Sequence, residues 1–411
     1  MFAVTGDETG LCKDVCVEGE GTALSWGGGQ SREHGVDRMC WLDDAVQDRG
    51  VVVALRSGSL QHWSPSHAHS SAGGGGAGAT PARCVGSFEG RAAGLQALSA
   101  SGRASESPSL VLCNEEGCVQ LMDLAPAKKH KELSFSTVAE WGVGGPVHQM
   151  RLEPTEGVIT VGGNEKDLSL WSLETQQSLF KAKNVAHDKL ELRVPIWITD
   201  MQFTSAPGGG RFGIVTGTGH GHVRLYDTAA RRAPVHSIDV GEFPVSAIEL
   251  SPDKQTLFVG DTTGGMNSYD LRTWRHLGRF QGPAGSVRAL SCHPSLPYVS
   301  CVGLDRFLHV FHQSTRKLAH KVYLKQRLTA VLFSEQIPAP AADSEGSDAS
   351  DGEAYSELDG SDSEAEELGS GEDASESGEA SDDMLGNGEE LGGYGKMKIV
   401  NAPAAKRLKR R

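Results

Sequence analysis

A repeated unit dominates residues 1–335 and restricts the fold more than any other feature of the sequence. Each copy joins a short apolar strand, a tight turn rich in Gly, Asp and Asn, and a second strand that closes on an aromatic or apolar residue. The clear copies lie at residues 158–171, 213–227, 257–270 and 298–311, and weaker ones at 51–63, 110–123 and 2–15. Such self-similarity is typical of chains built from one recurring supersecondary unit.

The spacing of the copies predicts the blades of a propeller. The residues that close the second strand of each copy are Val15, Trp63, Met122, Trp171, Tyr226, Tyr269 and Phe311, at intervals of 48, 59, 49, 55, 43 and 42 residues. A four-stranded blade takes about 40–45 residues. A low-complexity insert at residues 64–80 and a charged loop at residues 183–195 account for the two longest intervals.

The two ends of the repeated region predict how the ring closes. Alternating apolar residues supply an inner strand before each clear copy, as at residues 198–203 and 245–250. Residues 2–17 have the pattern of middle strands without an inner strand, whereas residues 328–333 have the pattern of an inner strand without a blade. Pairing the two removes an open sheet edge. We therefore predict an all-β, seven-bladed propeller over residues 1–335, closed by both termini.

Motifs in this region resemble those of one group of WD-repeat proteins. They are the Arg-Val-Pro-Ile-Trp element at residues 193–197, followed by Ile-Thr-Asp-Met-Gln-Phe, and the segments at residues 161–171, 217–227, 261–272, 285–290 and 301–306. The sequence is similar to the nucleolar WD-repeat factors of large ribosomal subunit assembly, which comprise the fungal Nsa group and its animal counterpart. The resemblance spans roughly residues 2–335.

The resemblance implies a non-enzymatic subunit of a pre-60S particle that takes part in pre-rRNA processing. Its expected partners are neighbouring assembly-factor proteins, ribosomal RNA and a AAA-type remodelling ATPase, with the protein a monomer inside the larger complex. The expected location is the nucleus and nucleolus. No P-loop, Ser/His/Asp order, paired carboxylates or metal-ligand spacing stands out, so we expect no catalytic residue, metal or cofactor.

Candidate partner-binding residues follow from residue type and position. Arg193, Trp197 and Asp200 combine a bidentate cation, a large ring and an acid, and Arg and Trp are enriched at binding hot spots. The alternative is that Trp197 packs between blades four and five while Arg193 is solvated. The further candidates are His220, Arg224, Tyr269, Arg272 and Arg306.

A second function remains open at residues 269–272. Tyr269-Asp270-Leu271-Arg272 resembles the Trp-Asp-x-Arg element of WD proteins that act as substrate receptors of cullin-type ubiquitin ligases. Tyr replaces Trp here, and an Asp at this place commonly marks the turn after a third strand. Receptor function is therefore the alternative to ribosome assembly.

Charge divides the rest of the chain into a tail and a tip. Formal net charge is −14, yet residues 1–335 are nearly neutral, because 19 acidic residues and no Lys or Arg lie between Asp343 and Glu390. Residues 336–395, rich in Ser, Gly, Glu and Asp, are predicted to be disordered. Ser350, Ser356, Ser361 and Ser370 precede acidic residues and suit an acid-directed kinase; a solvating spacer is the alternative.

Residues 396–411 form a basic tip with seven Lys or Arg residues and no acid. The segment Pro-Ala-Ala-Lys-Arg-Leu-Lys-Arg-Arg resembles a nuclear localisation signal, which an import receptor reads as an extended basic stretch. Its basic residues are Lys406, Arg407, Lys409, Arg410 and Arg411. No stretch reaches the ~18 apolar residues of a membrane span, and no secretory signal is expected at the start.

Overall fold

A computed structural model describes residues 1–17, 23–27, 30–42, 50–63, 83–98, 109–126, 133–187, 190–204 and 210–334. These residues form seven antiparallel sheets of four strands each. A single 3-10 turn, Arg32–His34, is the one helical element among them. The prediction of an all-β, seven-bladed propeller is confirmed.

Blades one to four use the first fifteen strands. Blade one holds β1 (Phe2–Asp7), β2 (Leu11–Cys16) and β3 (Ala23–Gly27). Blade two holds β4 (Val36–Leu42), β5 (Gly50–Leu55), β6 (Ser59–Trp63) and β7 (Arg83–Ser87). Blade three holds β8 (Ala92–Leu98), β9 (Ser109–Asn114), β10 (Cys118–Pro126) and β11 (Leu133–Gly142). Blade four holds β12 (Gln149–Glu153), β13 (Val158–Gly163), β14 (Lys166–Ser172) and β15 (Ser178–Lys181).

Blades five to seven follow the same order, from inner to outer strand. Blade five holds β16 (Ile198–Phe203), β17 (Gly213–Thr218), β18 (His222–Asp227) and β19 (His236–Asp239). Blade six holds β20 (Val245–Leu250), β21 (Thr256–Asp261), β22 (Met266–Asp270) and β23 (His276–Phe280). Blade seven holds β24 (Val287–Cys292), β25 (Tyr298–Gly303), β26 (Phe307–His312) and β27 (Leu318–Tyr323). The last strand, β28 (Leu328–Phe333), is the inner strand of blade one.

The two ends of the described region pair with each other, as the sequence predicts. Strand β28 runs antiparallel to β1, with Ala3 opposite Phe333 and Thr5 opposite Val331. The amide of Ser334 donates to the carbonyl of Phe2 over 3.0 Å. The open edge that each terminal segment would present alone is therefore covered.

Short polar side chains fix the hairpins between second and third strands. In blade one, the Asp7 carboxylate accepts hydrogen bonds from the amides of Thr9 at 2.8 Å and Leu11 at 3.0 Å. In blade six, Asp261 accepts in the same way from Thr263 and Gly265. An Asp that satisfies the amides two and four residues onward stabilises a tight turn, which explains why Asp recurs there.

The core lies between blades rather than within them. Buried apolar residues from neighbouring sheets pack against each other, and one such cluster joins blades four and five through Leu168, Leu170, Ile198, Met201 and Ile214. The cluster at the closing blade includes Val302 and Leu308 of blade seven and Val331 and Phe333 of β28. Each blade thus stabilises its neighbours, as in other repeat architectures.

Several predictions concern residues outside the described part of the chain. They are the insert at residues 64–80, the tail at residues 336–395, the tip at residues 396–411, the phosphorylation candidates Ser350, Ser356, Ser361 and Ser370, and the basic residues Lys406, Arg407, Lys409, Arg410 and Arg411. These remain predictions.

Candidate partner-binding surface

Two kinds of connection share one face of the ring. Chain direction alternates from strand to strand within each blade. The connection that enters each inner strand and the hairpin between the second and third strands therefore lie on the same side. We call this side the upper face, and the opposite side the lower face.

One connection on the upper face is much longer than the others that are bounded by described strands. Sixteen residues, 182–197, join blade four to blade five, whereas the other connections into inner strands have four to eight residues. Long loops inside compact domains commonly carry binding or catalytic function. Residues 182–197 are therefore the first place to look for a partner-binding surface.

Glu165, in the hairpin of blade four, makes two contacts that fix the end of this connection. Its amide donates to the carbonyl of Ile196 over 2.7 Å, and its carboxylate pairs with the Arg193 guanidinium at 2.9 Å. Within the connection, the Asn184 side chain donates to the carbonyl of Val194 at 2.7 Å. The long connection therefore has a defined course at both ends.

Trp197 sits on a glycine of the next blade. The amide of Gly219 donates to the Trp197 carbonyl over 2.9 Å, and a side chain added at Gly219 would overlap the Trp197 ring. The edge of His220 meets the same ring, with centroids 5.9 Å apart. The ring thus packs at the junction of blades four and five and remains partly exposed.

Two connections of the upper face carry strongly exposed apolar side chains. Leu192 is 60% exposed and Phe243 is 53% exposed. The backbone of Phe243 lies beside the blade-five hairpin that contains Gly219 and His220, since a side chain at Gly221 would come within 3.2 Å of the Phe243 carbonyl. We call the set Leu192, Arg193, Trp197, His220 and Phe243 the crest. It combines apolar area, aromatic rings and a cation, the residue types enriched where proteins bind one another.

The upper face gathers four of the residues that the sequence singles out. Arg193, Trp197 and His220 belong to the crest, and Arg193 is 61% exposed at its side chain. Arg306 also lies on the upper face, in the hairpin of blade seven, where it is exposed with φ of 68°.

Three of the predicted partner-binding residues, Asp200, Arg224 and Tyr269, are buried in the folded chain. Asp200 is buried, and its carboxylate accepts hydrogen bonds from Gln149, Arg151 and the amides of Met201 and Ile248. These contacts join the inner strands of blades four, five and six, so Asp200 stabilises the channel wall.

Arg224 and Tyr269 are buried within third strands. Arg224 is 5% exposed and lies beside Tyr226, where it lowers the pKa of the hydroxyl against the larger raising effect of burial. Tyr269 is 7% exposed, its ring lies 5.2 Å from that of His276, and burial raises the pKa of its hydroxyl. Neither side chain presents a surface to a partner.

Arg272 is separated from all of these. It follows β22 in the turn to the outer strand of blade six, on the lower face, where its amide donates to Asp270 at 2.9 Å. Within residues 269–272, Tyr269 is therefore buried and Arg272 is exposed.

The channel contains a feature that sequence periodicity does not show. Six of the seven inner strands carry one extra residue at the second position of the strand, which breaks the register with the neighbouring strand. The extra residues are Asp37, Ala93, Thr199, Ser246, Arg288 and Thr329. Bulges redirect side chains at the rims of closed sheets, and all six residues line one cavity of about 590 Å³ at the upper face. We call this cavity the channel mouth.

Deeper in the channel, polar side chains cross between blades. Arg38 of blade two reaches the side chain of Gln149 in blade four, with 2.7 Å between donor and acceptor. Glu249, in blade six, accepts from Gln202 at 2.7 Å, and burial raises the pKa of its carboxyl to about 8, against the opposing effect of Arg151. This shift favours the protonated form of the Glu249 carboxyl in the folded state.

Comparison with known proteins identifies the family. Over 334 residues, 80% of this chain, the sequence is 36% identical to WD repeat-containing protein 74 of Bos taurus, of which the match covers 80%. The protein of that name from Homo sapiens matches with the same identity and coverage. The chain belongs to the WD repeat-containing protein 74 family. The resemblance drawn from residues 193–197 and the other motifs is thereby confirmed.

Fungal members lie further away. Ribosome biogenesis protein NSA1 of Meyerozyma guilliermondii is 29% identical over 265 residues, which cover 56% of this chain and 65% of that protein. The nsa1 protein of Schizosaccharomyces pombe is 29% identical over 237 residues, or 51% of this chain and 60% of its own length. No protein-family model matches the chain.

Two further observations apply to the described residues of this family member. The described residues contain no group of three or more His, Cys, Asp or Glu side chains placed to hold a metal ion. No helix among the same residues is long and apolar enough to cross a membrane.

Proposed function

We propose that this protein is a non-enzymatic assembly factor of the large ribosomal subunit that takes part in pre-rRNA processing. It acts as a rigid ring that binds protein partners in pre-60S particles through the crest and contacts ribosomal RNA of the particle. A AAA-type remodelling ATPase is the proposed agent of its release.

The observation that carries this proposal is the crest itself. A sixteen-residue connection is held in place by Glu165 and exposes Leu192 and Arg193 beside Trp197 and Phe243. A surface with this much exposed apolar area and a bidentate cation gains free energy when a partner covers it. The names of the fungal relatives support ribosome biogenesis as the process it serves.

The tail and tip complete the proposal. An import receptor would bind the basic tip through the cluster that begins at Lys406 and Arg407, and would bring the protein into the nucleus and then the nucleolus. Removing residues 406–411 from a fluorescently tagged full-length chain should spread the signal into the cytoplasm. An unchanged nuclear signal would contradict this part.

Co-sedimentation tests the assembly role. A tagged copy of the natural chain should migrate with pre-60S particles and carry large-subunit precursor RNA. The double variant Leu192→Ser with Phe243→Ser should shift the protein to the free fraction. Because both residues are exposed, we expect the variant to remain folded, which its thermal unfolding curve checks.

The matched control is Leu277→Ser with Leu318→Ser. These two leucines are 43% and 42% exposed on outer strands of blades six and seven, away from the crest. The control should stay with the particle. Equal loss from both double variants would remove the crest from the proposal, and migration of the natural chain as free protein, or with a cullin scaffold, would contradict the assembly role.

A further inference from the structure

Positive charge is concentrated in the last part of the propeller. Acids and bases nearly balance over residues 1–335 as a whole, yet residues 271–334 contain ten Lys or Arg residues and a single acid, Asp305. This segment supplies the outer strand of blade six, all of blade seven and the closing strand β28. The imbalance makes this sector of the ring strongly basic, which the net charge of the whole chain conceals.

Four exposed bases follow the outer edge of blade seven. Lys317 precedes β27, Lys321 lies within it and Lys325 follows it. All three are exposed, and so is Arg306, whose carbonyl accepts a hydrogen bond from the Leu324 amide over 2.9 Å. The strand has six residues and is therefore about 20 Å long, so these bases extend from the lower face to the upper face. We call Arg306, Lys317, Lys321 and Lys325 the basic stripe.

No described acid neutralises the basic stripe. Within the described part of the chain, no ion pair joins one of its residues to a carboxylate. Asp305, next to Arg306 in sequence, is turned inward: its side chain is 10% exposed, lies 3.6 Å from the His309 ring nitrogen and accepts a hydrogen bond from the Phe307 amide at 3.2 Å. Four cations along one edge attract a ligand that carries anions along its length.

Two aromatic rings lie among these cations. The Lys321 Nζ is 4.1 Å from the centroid of the Phe307 ring, and the centroids of the Phe307 and Tyr323 rings are 5.0 Å apart. The contact of Lys321 with Phe307 is a cation–π interaction, which holds the ammonium group in place. Tyr323 is 52% exposed, so a ligand can cover much of its surface.

The pairing of cations with an exposed ring indicates which polyanion fits. Lysine and arginine bind the phosphates of a single strand or a duplex, and they also bind the carboxylates of an acidic protein. A ring beside them adds a surface on which an unpaired base stacks, and proteins that bind single strands combine these two features. The bases of a duplex are already stacked on one another, so Tyr323 adds nothing to the binding of a duplex.

We propose that the basic stripe and Tyr323 form a binding site for a single-stranded segment of RNA. The four cations hold its phosphates, and the Tyr323 ring stacks on one of its bases. The identity of this RNA as ribosomal precursor RNA rests on the proposed assembly role. The site itself does not, because it shares no residue with the crest.

Fluorescence anisotropy of the full-length protein with a fluorescein-labelled oligouridine of about 20 nucleotides tests the site. The triple variant Lys317→Gln, Lys321→Gln and Lys325→Gln should weaken binding at low salt at least about tenfold. It should also make the dependence of log Kd on log salt shallower by about 2, since each lost phosphate contact removes about 0.7 from the slope. Thermal unfolding checks that the variant is folded.

The matched control replaces three exposed lysines outside blade seven, Lys181, Lys183 and Lys254, by Gln. It removes the same charge from the chain and should bind the RNA within about twofold of the natural protein. The measurements are repeated on chains without residues 406–411, so that binding by the basic tip does not mask the stripe. Equal losses in the two triple variants, or no binding of the RNA to the natural chain, would overturn the proposal.

Tyr323 distinguishes RNA from an acidic protein. Tyr323→Ala should weaken RNA binding about fivefold or more because it removes the stacking surface, whereas Tyr323→Phe keeps the ring and should bind within about twofold. Unchanged binding by Tyr323→Ala would overturn the proposal. Displacement of the RNA by polyglutamate of equal total charge would then assign the stripe to an acidic protein.

The crest variant Leu192→Ser with Phe243→Ser keeps this site apart from the assembly role. It leaves the basic stripe intact and should bind the RNA as the natural chain does. If the natural chain migrates with pre-60S particles but does not bind the RNA, the stripe proposal fails and the assembly role stands. If it binds the RNA through the stripe but never migrates with the particles, the assembly role fails and the stripe stands.

Discussion

The junction at blade one and the junction between blades four and five differ in how far their apolar side chains are buried. At blade one, β28 joins β1 with its apolar residues buried; Val331 and Phe333 are each 4% exposed, and Trp41 of blade two donates to the Phe333 carbonyl at 2.8 Å. At the junction of blades four and five, the long connection leaves Leu192 and Phe243 more than half exposed. The first junction therefore contributes stability, and the second offers binding surface.

Because the two junctions differ in burial, substitutions at them should alter different properties of the protein. Burying an apolar side chain stabilises the fold by about 1.5–3 kcal/mol, and this gain is lost when the packing is disrupted. Exposed side chains contribute little to folding and much to association. Variants of blade one should therefore act on stability, and variants of the crest on partner binding.

The largest effect should come from Val331→Asp. This change buries an unpaired carboxylate in the closing strand, so we expect the free energy of unfolding to fall by about 4 kcal/mol or more. Urea denaturation followed by tryptophan fluorescence measures it. Leu318→Asp, at a residue 42% exposed on an outer strand, should cost less than about 1 kcal/mol; similar losses in both would contradict the closure of the ring by β28.

Gly219→Ala should have the next largest effect. The added methyl group would overlap the Trp197 ring, and such overpacking costs about 1–3 kcal/mol. In the double variant with Trp197→Ala the methyl group has room, so the two losses should not add. A double-mutant cycle of thermal unfolding measures this coupling, and simple additivity would refute the packing of Trp197 on Gly219.

Glu249, in the channel wall, should make the free energy of unfolding depend on pH. Because burial raises the pKa of the Glu249 carboxyl to about 8, the folded state binds a proton that the unfolded state releases near pH 4.5. The contribution of this group is therefore present at low pH and is lost as pH rises through about 8. Glu249→Gln should raise the free energy of unfolding above pH 8 by on the order of 1–2 kcal/mol.

Stability curves at pH 6 and pH 9 check this prediction. Arg151 and Asp200 are the charged groups that act on the Glu249 carboxyl, the first lowering its pKa and the second raising it. An equal effect of Glu249→Gln at the two pH values would show that the carboxyl titrates outside this window.

The smallest effect on stability should come from the ion pair of Arg193 and Glu165. Both side chains are more than half exposed, so the pair should contribute less than about 1 kcal/mol. Arg193→Ala should nevertheless reduce recovery with pre-60S particles, since it removes the cation of the crest. Thermal unfolding and co-sedimentation of the same sample separate the two readouts. If Arg193→Ala caused a large loss of stability but left co-sedimentation unchanged, Arg193 would contribute to folding and not to partner binding.

The fold was largely predictable because strands and turns leave local patterns. Residues 198–203, 245–250 and 328–333 were predicted as inner strands and were found with those bounds. The closing residues, from Val15 to Phe311, all lie in third strands. Periodicity and turn residues act over a few positions, so they are visible in one sequence.

The site was less predictable because it depends on contacts between blades. Asp200 was placed with Arg193 as a surface residue, but the bulge at Thr199 and the amide of Ile248 in the next blade hold it inside. The contact of Trp197 with Gly219 and the convergence of Arg56 and Arg288 likewise arise only when separate blades meet. Register shifts between strands leave no mark in the pattern of one strand.

Hydrogen–deuterium exchange on the protein bound to purified pre-60S particles, compared with the free protein, tests whether the crest is the partner-binding surface. Binding should slow exchange at residues 190–197, 219–221 and 240–244, which form and flank the crest, while residues 251–255 and 271–275 of the lower face should exchange as before. Protection confined to the lower face, with the crest unchanged, would contradict it.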